Sequence, residues 1–316
     1  MPLSYGAAPI AAAAVLSGAA VKAGIIGFIR FLPLGVAMPG WGGAIVAAGF
    51  VAAFYGVAVG LTQPHPRTIL AYSSVSQMGV LAAVLGMGLA AGDGGVAVAV
   101  AIYAAQHVLV KGGLFLAIGA DAPGRRWAVL VPAAVVGLGL AGLPLSGGMV
   151  AKWVVKPALG DGLAGTLSVA SAIGTALLMS HFLMRLWGMA PRGGGTPLLP
   201  WLVVAVAAVA VPWWIGAALG LAVPGEVLSV DGLWKAGWPV AVGVLAAVAM
   251  RLGQVKLPSL PPGDVIVLAD GLPARVEAAG AALERGEAWL RRWPVAGVSL
   301  LVVALALGAA MLLASR

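Results

Sequence analysis

His107 and Lys111 stand four residues apart in AQHVLVKGGLF (105–115), inside a stretch otherwise apolar enough to be membrane-embedded helix. That spacing places both side chains on one helix face. It recurs at Lys152 and Lys156 in GGMVAKWVVKPALG and at His181 and Arg185 in MSHFLMRLW, while Lys22 stands in VLSGAAVKAGIIGFIRF with Arg30 near the end of the apolar run. A lysine at mid-bilayer costs roughly 3 kcal/mol on insertion scales, so such residues face a bundle interior or a water-filled cavity. Desolvation penalises the charged form of an amine, and an imidazole takes up and releases protons near neutral pH. The chemistry on offer is proton transfer. Lys22, Lys111 and Lys152 are the deep carriers, with His107 one turn from Lys111. Lys156, Arg185 and Arg30 sit toward run ends, where long basic side chains snorkel to the headgroups. His181 fits either a proton-handling role or a hydrogen bond to a neighbouring helix.

The elements that must hold these groups are membrane spans. The 316 residues are 62% hydrophobic and 9% charged, against about a quarter charged in a soluble domain. Zero cysteines exclude disulfides, thiolate nucleophiles and cysteine-ligated clusters, and three histidines leave little for a metal site. No cofactor or metal is expected, and any redox step belongs to another chain. The net charge of +8 lies mostly at span ends or inside spans, which argues against nucleic acid. The opening MPLSYGAAPIAAAAVLSG has no basic region before its apolar run and reads as the edge of a helix, not a cleaved signal.

A spanning helix needs about 20 mostly apolar residues. Such windows occur at 8–32, 41–62, 68–91, 95–119, 127–144, 147–160, 164–188, 199–222, 236–252 and 293–315, so the fold class is all-α and polytopic, with about ten transmembrane helices. The 47 glycines suit close helix packing through small surfaces. Residues 261–292 break the pattern. Leu272, Val276, Leu283 and Leu290 recur at roughly helical spacing, with Arg275, Glu277, Glu284, Arg285 and Glu287 on other faces, and Asp270 ahead of Pro273 is a start signal. This reads as one amphipathic helix on the membrane surface or on a partner subunit. The resulting organisation is a core at 1–190, further spans at 191–260, the amphipathic helix at 261–292 and a C-terminal anchor at 293–316. The acidic residues Asp93, Asp121, Asp161, Glu226 and Asp231 all fall between spans, so no carboxylate in a span can balance the buried lysines. An uncompensated ammonium is costly, and the expected counter-charge comes from another polypeptide.

TQPHPRTILAYSSVSQMGV (62–80) resembles the signature of the antiporter-like membrane subunits of respiratory complex I and of Mrp-type cation/proton antiporters. LSGAAVKAG (16–24), HVLVKGGLFLAIG (107–119) and AGLPLSGGMVAKW (141–153) resemble three further motifs of that family, in its order and approximate spacing. The resemblance implies that Lys22 is the essential lysine of a broken helix, normally paired with a glutamate on an earlier helix. It implies that Lys111, with His107, is the central relay lysine, and that Lys152 is the lysine of a second broken helix, which Pro144, Gly147 and Gly148 introduce. Where the family has an acidic residue and a lysine before LAYSS, this chain has His65 and Arg67, and arginine steers protons but does not release them. The family core is two inverted repeats, and this chain resembles the second. Either a partner chain supplies the first repeat and its intramembrane glutamate, or this sequence is a fragment; the lack of a carboxylate in the spans agrees with the partner chain.

The leading expectation is a proton-translocating membrane subunit of a larger complex in the bacterial inner membrane. The alternatives are a non-conducting scaffold subunit, a membrane subunit of a related cation-exchange or inorganic-carbon uptake system, and a b-type cytochrome ligated by His107 and His181. Loop charges alternate in sign, with Arg125 and Arg126 on one side and Glu226 and Asp231 on another, but the alternation fails across the two short spans around Lys152.

Overall fold

The computed structural model describes residues 2–190, 197–255, 257–258, 260–261, 263 and 274–314. The chain divides into two compact units, residues 1–262 and 263–316. Among the described residues every regular element is a helix.

The first unit opens with α1 (Pro2–Ala7) and a span made of α2 (Ile10–Val15), a π-helical turn (Leu16–Ala20) and α3 (Lys22–Phe31). It continues with α4 (Pro39–Leu61), α5 (Pro66–Ala91), α6 (Val96–Ala120), α7 (Arg126–Ala141), α8 (Gly147–Leu159), α9 (Leu163–Gly188), α10 (Leu198–Ala218), the single turn α11 (Pro224–Val227) and α12 (Val230–Leu252). Turn chemistry sets the boundaries. Proline at the first helical position starts α4 and α5. Gly92 (φ 72°) and Gly142 (φ 102°) end α5 and α7 in the left-handed region that glycine occupies without a Cβ penalty.

The tightest packing joins α4 to α5. Gly42, Gly49 and Gly56 recur every seven residues on α4, facing Gly79 and Gly86 on α5. A Cβ on Gly49 would stand 2.6 Å from the Gly79 carbonyl oxygen, and one on Gly42 2.5 Å from the Ala90 nitrogen. Only glycine allows backbones this close, which is the small-residue association seen where lipid, not water, surrounds helices.

Among the described residues, seven helical stretches are each long and apolar enough to cross a bilayer: Ile10–Phe31 and α4, α5, α6, α9, α10 and α12. The expected spans 127–144 and 147–160 differ from this. Helix α7 has 16 residues and α8 has 13, about 24 and 20 Å at 1.5 Å per residue, and each falls short of the roughly 30 Å core. They follow one another as a single broken crossing. Arg126, starting α7, donates to carbonyls at the end of α9, including Leu186 (3.2 Å), Met189 (3.0 Å) and Trp187. The end of α7 packs against Ala176 at the middle of α9, and α8 ends beside the start of α9, where a Cβ on Gly165 would run into the Gly160 carbonyl oxygen. Hydropathy windows count such halves as two spans because they register length and apolarity, not where the chain stops within the membrane.

Counting α7 and α8 as one crossing, the helices alternate regularly between two faces. One face collects the α4–α5 turn, the α6–α7 turn and the ends of α9 and α12, and Arg67 Nη1 ties α1 to it through the Gly6 and Ala8 carbonyls (3.2 Å each). The described charges there are Arg67, Asp121, Arg125, Arg126, Arg185 and Arg251. The other face carries Arg30, Asp93, Lys156, Asp161, Glu226, Asp231 and Lys235.

In the second unit, helix α13 (Ala274–Leu290) precedes α14 (Trp293–Ala314). The segments Gly280–Trp289 and Pro294–Leu307 meet at 87°, and Glu287 pairs with Arg291 at 2.5 Å. Asp270, Leu272 and Pro273 of the expected amphipathic segment lie outside the described residues.

Candidate proton-relay site

Helix α6 builds the centre of the site. Tyr103, His107 and Lys111 follow one another at four-residue steps, so one face carries a phenol, an imidazole and an amine, all three buried. The Lys111 ammonium is fully enclosed and donates to the Leu70 carbonyl (2.8 Å) and to Ser73 Oγ (2.7 Å), both on α5. Lys22 begins α3 directly after the π-helical turn, and its Nζ donates to the Ser17 carbonyl (2.8 Å). A π turn disturbs the regular backbone ladder, and here it presents a carbonyl to the chain's own lysine.

These two amines belong to one network. Ser17 Oγ lies 3.2 Å from Ser74 Oγ, and Ser74 Oγ donates to the same Leu70 carbonyl (3.1 Å) that Lys111 uses. Lys22 holds the Ser17 carbonyl and Lys111 the Leu70 carbonyl, and the Ser17 and Ser74 hydroxyls link those two residues. Among the described residues, no carboxylate lies within ion-pair distance of Lys22, Lys111 or Lys152.

A second polar set adjoins it. The Tyr103 hydroxyl donates to Gln77 Oε1 (2.6 Å), Gln77 Nε2 donates to Thr175 Oγ1 (2.9 Å), and Thr175 donates to the Ser171 carbonyl (2.8 Å), so α5, α6 and α9 are tied at mid-membrane. Both ring nitrogens of His107, Gln106 Nε2, Ser76 Oγ and Ser171 Oγ are buried without a protein partner. Such atoms are where ordered water serves.

Lys152 stands apart, half-buried on α8. Its aliphatic stem crosses Gly142, where a Cβ would stand 2.8 Å from Lys152 Cδ, and it lines a cavity of about 310 Å³ with Lys156, Asp161 and Lys235. Gln106, next to His107 on α6, reaches α8, where a Cβ on Gly148 would come 3.3 Å from its Nε2. The break ahead of Lys152 is tight. Pro144 lies in the connection, Leu145 takes φ 65°, a conformation costing about 1–3 kcal/mol for a residue with a side chain, and Ser146 Oγ donates to the Leu143 carbonyl (2.6 Å). Gly147 has no room for a Cβ beside the Ala208 carbonyl, nor Gly148 beside the Gly139 carbonyl.

The remaining expected residues lie outside this cluster. His65 is exposed and caps α5, accepting from Arg67 N at 3.4 Å. His181 Nε2 lies 3.0 Å from the Gln63 carbonyl on the α4–α5 turn. Asp121 closes α6 near Arg126 (3.8 Å); burial raises its carboxyl above the usual value, and the guanidinium opposes that. Sequence reasoning missed Ser17, Ser73, Ser74, Gln77, Tyr103, Gln106 and Thr175. Tyr103 was available as the residue one turn before His107, and Ser73 and Ser74 lie inside the AYSS run.

Buried amines on a polar seam through a bundle of helices long and apolar enough to cross a bilayer mark this chain as an integral membrane protein. Residues 1–125, which hold Lys22, His107 and Lys111, match the family described as NADH:quinone oxidoreductase/Mrp antiporter, TM. It is 31% identical over 183 residues to an uncharacterized protein of Mycobacterium tuberculosis, covering 50% of this chain and 28% of that one. It is 35% identical over 176 residues to NADH-quinone oxidoreductase subunit N of Rubrobacter xylanophilus (52% and 36% of the two chains). To hydrogenase-4 component B of Escherichia coli it is 28% identical over 178 residues (48% and 26%). The chain spans well under half the length of these relatives.

Proposed function

We propose that this chain is a proton-translocating subunit of a complex I-like or Mrp-type antiporter assembly, in which Lys22, His107, Lys111 and Lys152 pass protons laterally through the middle of the bilayer. The observation that carries this reading is the Lys111 ammonium, fully enclosed and joined through Leu70, Ser74 and Ser17 to the group that holds Lys22. Two amines joined to one acceptor network act on each other, so a change of charge at one is transmitted to the other. The unpartnered nitrogens of His107 and Gln106 are the positions at which water would continue the path from Lys111 toward Lys152.

The cations need a balancing carboxylate, and it comes from a membrane helix of a partner subunit. Two of the relatives are named as a subunit and a component, which supports membership of an assembly. Arg67, which holds the Gly6 and Ala8 carbonyls, acts electrostatically and carries no proton. His181, bonded to the Gln63 carbonyl, positions the α4–α5 turn. The core is 1–190; α13 serves as an amphipathic surface helix and α14 as an anchor. The location is the bacterial inner membrane, with the arginine-rich face toward the cytoplasm, where basic residues of short loops are retained.

The test is Lys111→Ala in the native assembly. Proton uptake into inverted vesicles is expected to be lost while the complex still assembles. Wild-type proton uptake in that variant would overturn the reading.

A further inference from the structure

At the arginine-rich face, α4, α9 and α12 enclose a cavity of about 630 Å³ that the relay does not use. Arg185, Arg251 and His181 line it together with Trp187 and apolar residues such as Leu61 and Met250, and none of its lining residues is acidic. Basic residues at helix ends ordinarily serve the terminal carbonyls. Here those carbonyls are already taken. Arg126 holds Leu186, Trp187 and Met189 at the end of α9. The amides of Gly253, Val255 and Gln254 hold Ala249, Met250 and Arg251 at the end of α12. His181 spends its Nε2 on Gln63. Among the described residues, no carboxylate is within ion-pair distance of Arg185 or Arg251. Two guanidinium groups therefore face an apolar-walled cavity, and among the described residues their donors are unspent.

We infer that this cavity binds the phosphodiester headgroup of an acidic phospholipid from the surrounding leaflet. Planar guanidinium groups match phosphate oxygens with paired donors. Leu61 and Met250 offer acyl chains an apolar wall, and Trp187 has the amphipathic ring that favours headgroup depth. Basic pockets between spans on the cytoplasmic side are where anionic headgroups lodge. A soluble anion would gain nothing from the apolar wall, which is why a lipid is the occupant the lining favours.

The probe is phosphatidylglycerol against phosphatidylcholine, read as lipid retained by the full chain in native mass spectrometry. At about five-fold per basic group near a membrane surface, two guanidiniums give a preference for phosphatidylglycerol on the order of 25-fold. Arg185→Gln/Arg251→Gln is expected to bring the ratio close to one, Arg185→Lys/Arg251→Lys to keep most of it, and Lys156→Gln/Lys235→Gln, on the opposite face, to leave it unchanged. No preference in the unmodified chain, an undiminished preference in the glutamine pair, or displacement of the lipid by millimolar inorganic phosphate would overturn the inference. Lipid retention involves no proton movement, so this test and that of the relay fail separately.

Discussion

Ser73→Ala removes one oxygen and leaves a good helix former inside α5, so the fold is undisturbed while the Lys111 ammonium loses its 2.7 Å acceptor. A hydrogen bond to a charged group contributes about 1.5–3 kcal/mol. If that bond stabilises the proton on Lys111 during transfer, its loss slows translocation by about 10- to 150-fold, at about 1.36 kcal/mol per decade. Ser74→Ala breaks only neutral links, to Ser17 at 3.2 Å and to the Leu70 carbonyl at 3.1 Å. Neutral bonds contribute about 0.5–1.5 kcal/mol, so the expected slowing is about 2- to 12-fold. Ser171, on α9 with no hydrogen bond to either amine among the described residues, provides the control, and Ser171→Ala is expected to stay near the wild-type rate. The assay is the initial rate of proton uptake into inverted vesicles carrying the assembled complex, normalised to complex content. Equal rates for Ser73→Ala and wild type, or a larger effect from Ser171→Ala than from Ser73→Ala, would refute the reasoning that Lys111 works through its α5 partners.

Two further outcomes follow from packing and topology. Gly79→Ala puts a methyl against the Gly49 carbonyl and 2.6 Å from the Ala53 nitrogen, an overpacking that costs about 1–3 kcal/mol; the detergent-solubilised chain is expected to melt lower. Gly43→Ala, with open space around it, is expected to melt slightly higher, and a matching drop in both would refute the close α4–α5 contact. Because the chain has no cysteine, single introduced thiols report orientation without background. With the arginine-rich face in the cytoplasm, a membrane-impermeant maleimide added to intact cells is expected to label Gly162→Cys and spare Ala190→Cys, and the reverse pattern would invert the topology.

The deep amines were legible in the sequence because a charge inside an apolar run stands out against everything around it. Four-residue spacing was enough to place His107 and Lys111 on one face, since α6 is an uninterrupted helix. Their partners were not legible. Serine, threonine and glutamine blend into a small-residue background, and what makes Ser17, Ser73 and Ser74 part of the site is that two other helices bring them to the amines. The division into spans differs at one place for a related reason. Residues 127–144 and 147–160 each look apolar enough to cross, but Gly142, Pro144 and left-handed Leu145 divide a single crossing in two. Once those halves are joined, the α6–α7 turn with Arg125 and Arg126 falls on the face opposite Asp161, Glu226 and Asp231.

The decisive measurement is proton translocation by Lys111→Arg in the assembled complex. Arginine keeps the positive charge and can reach the same acceptors, but it does not release its proton under biological conditions. A carrier at this position therefore requires that Lys111→Arg assemble normally and move no protons. Translocation at the wild-type rate would mean that Lys111 supplies only a fixed charge, and that the proton travels by another route.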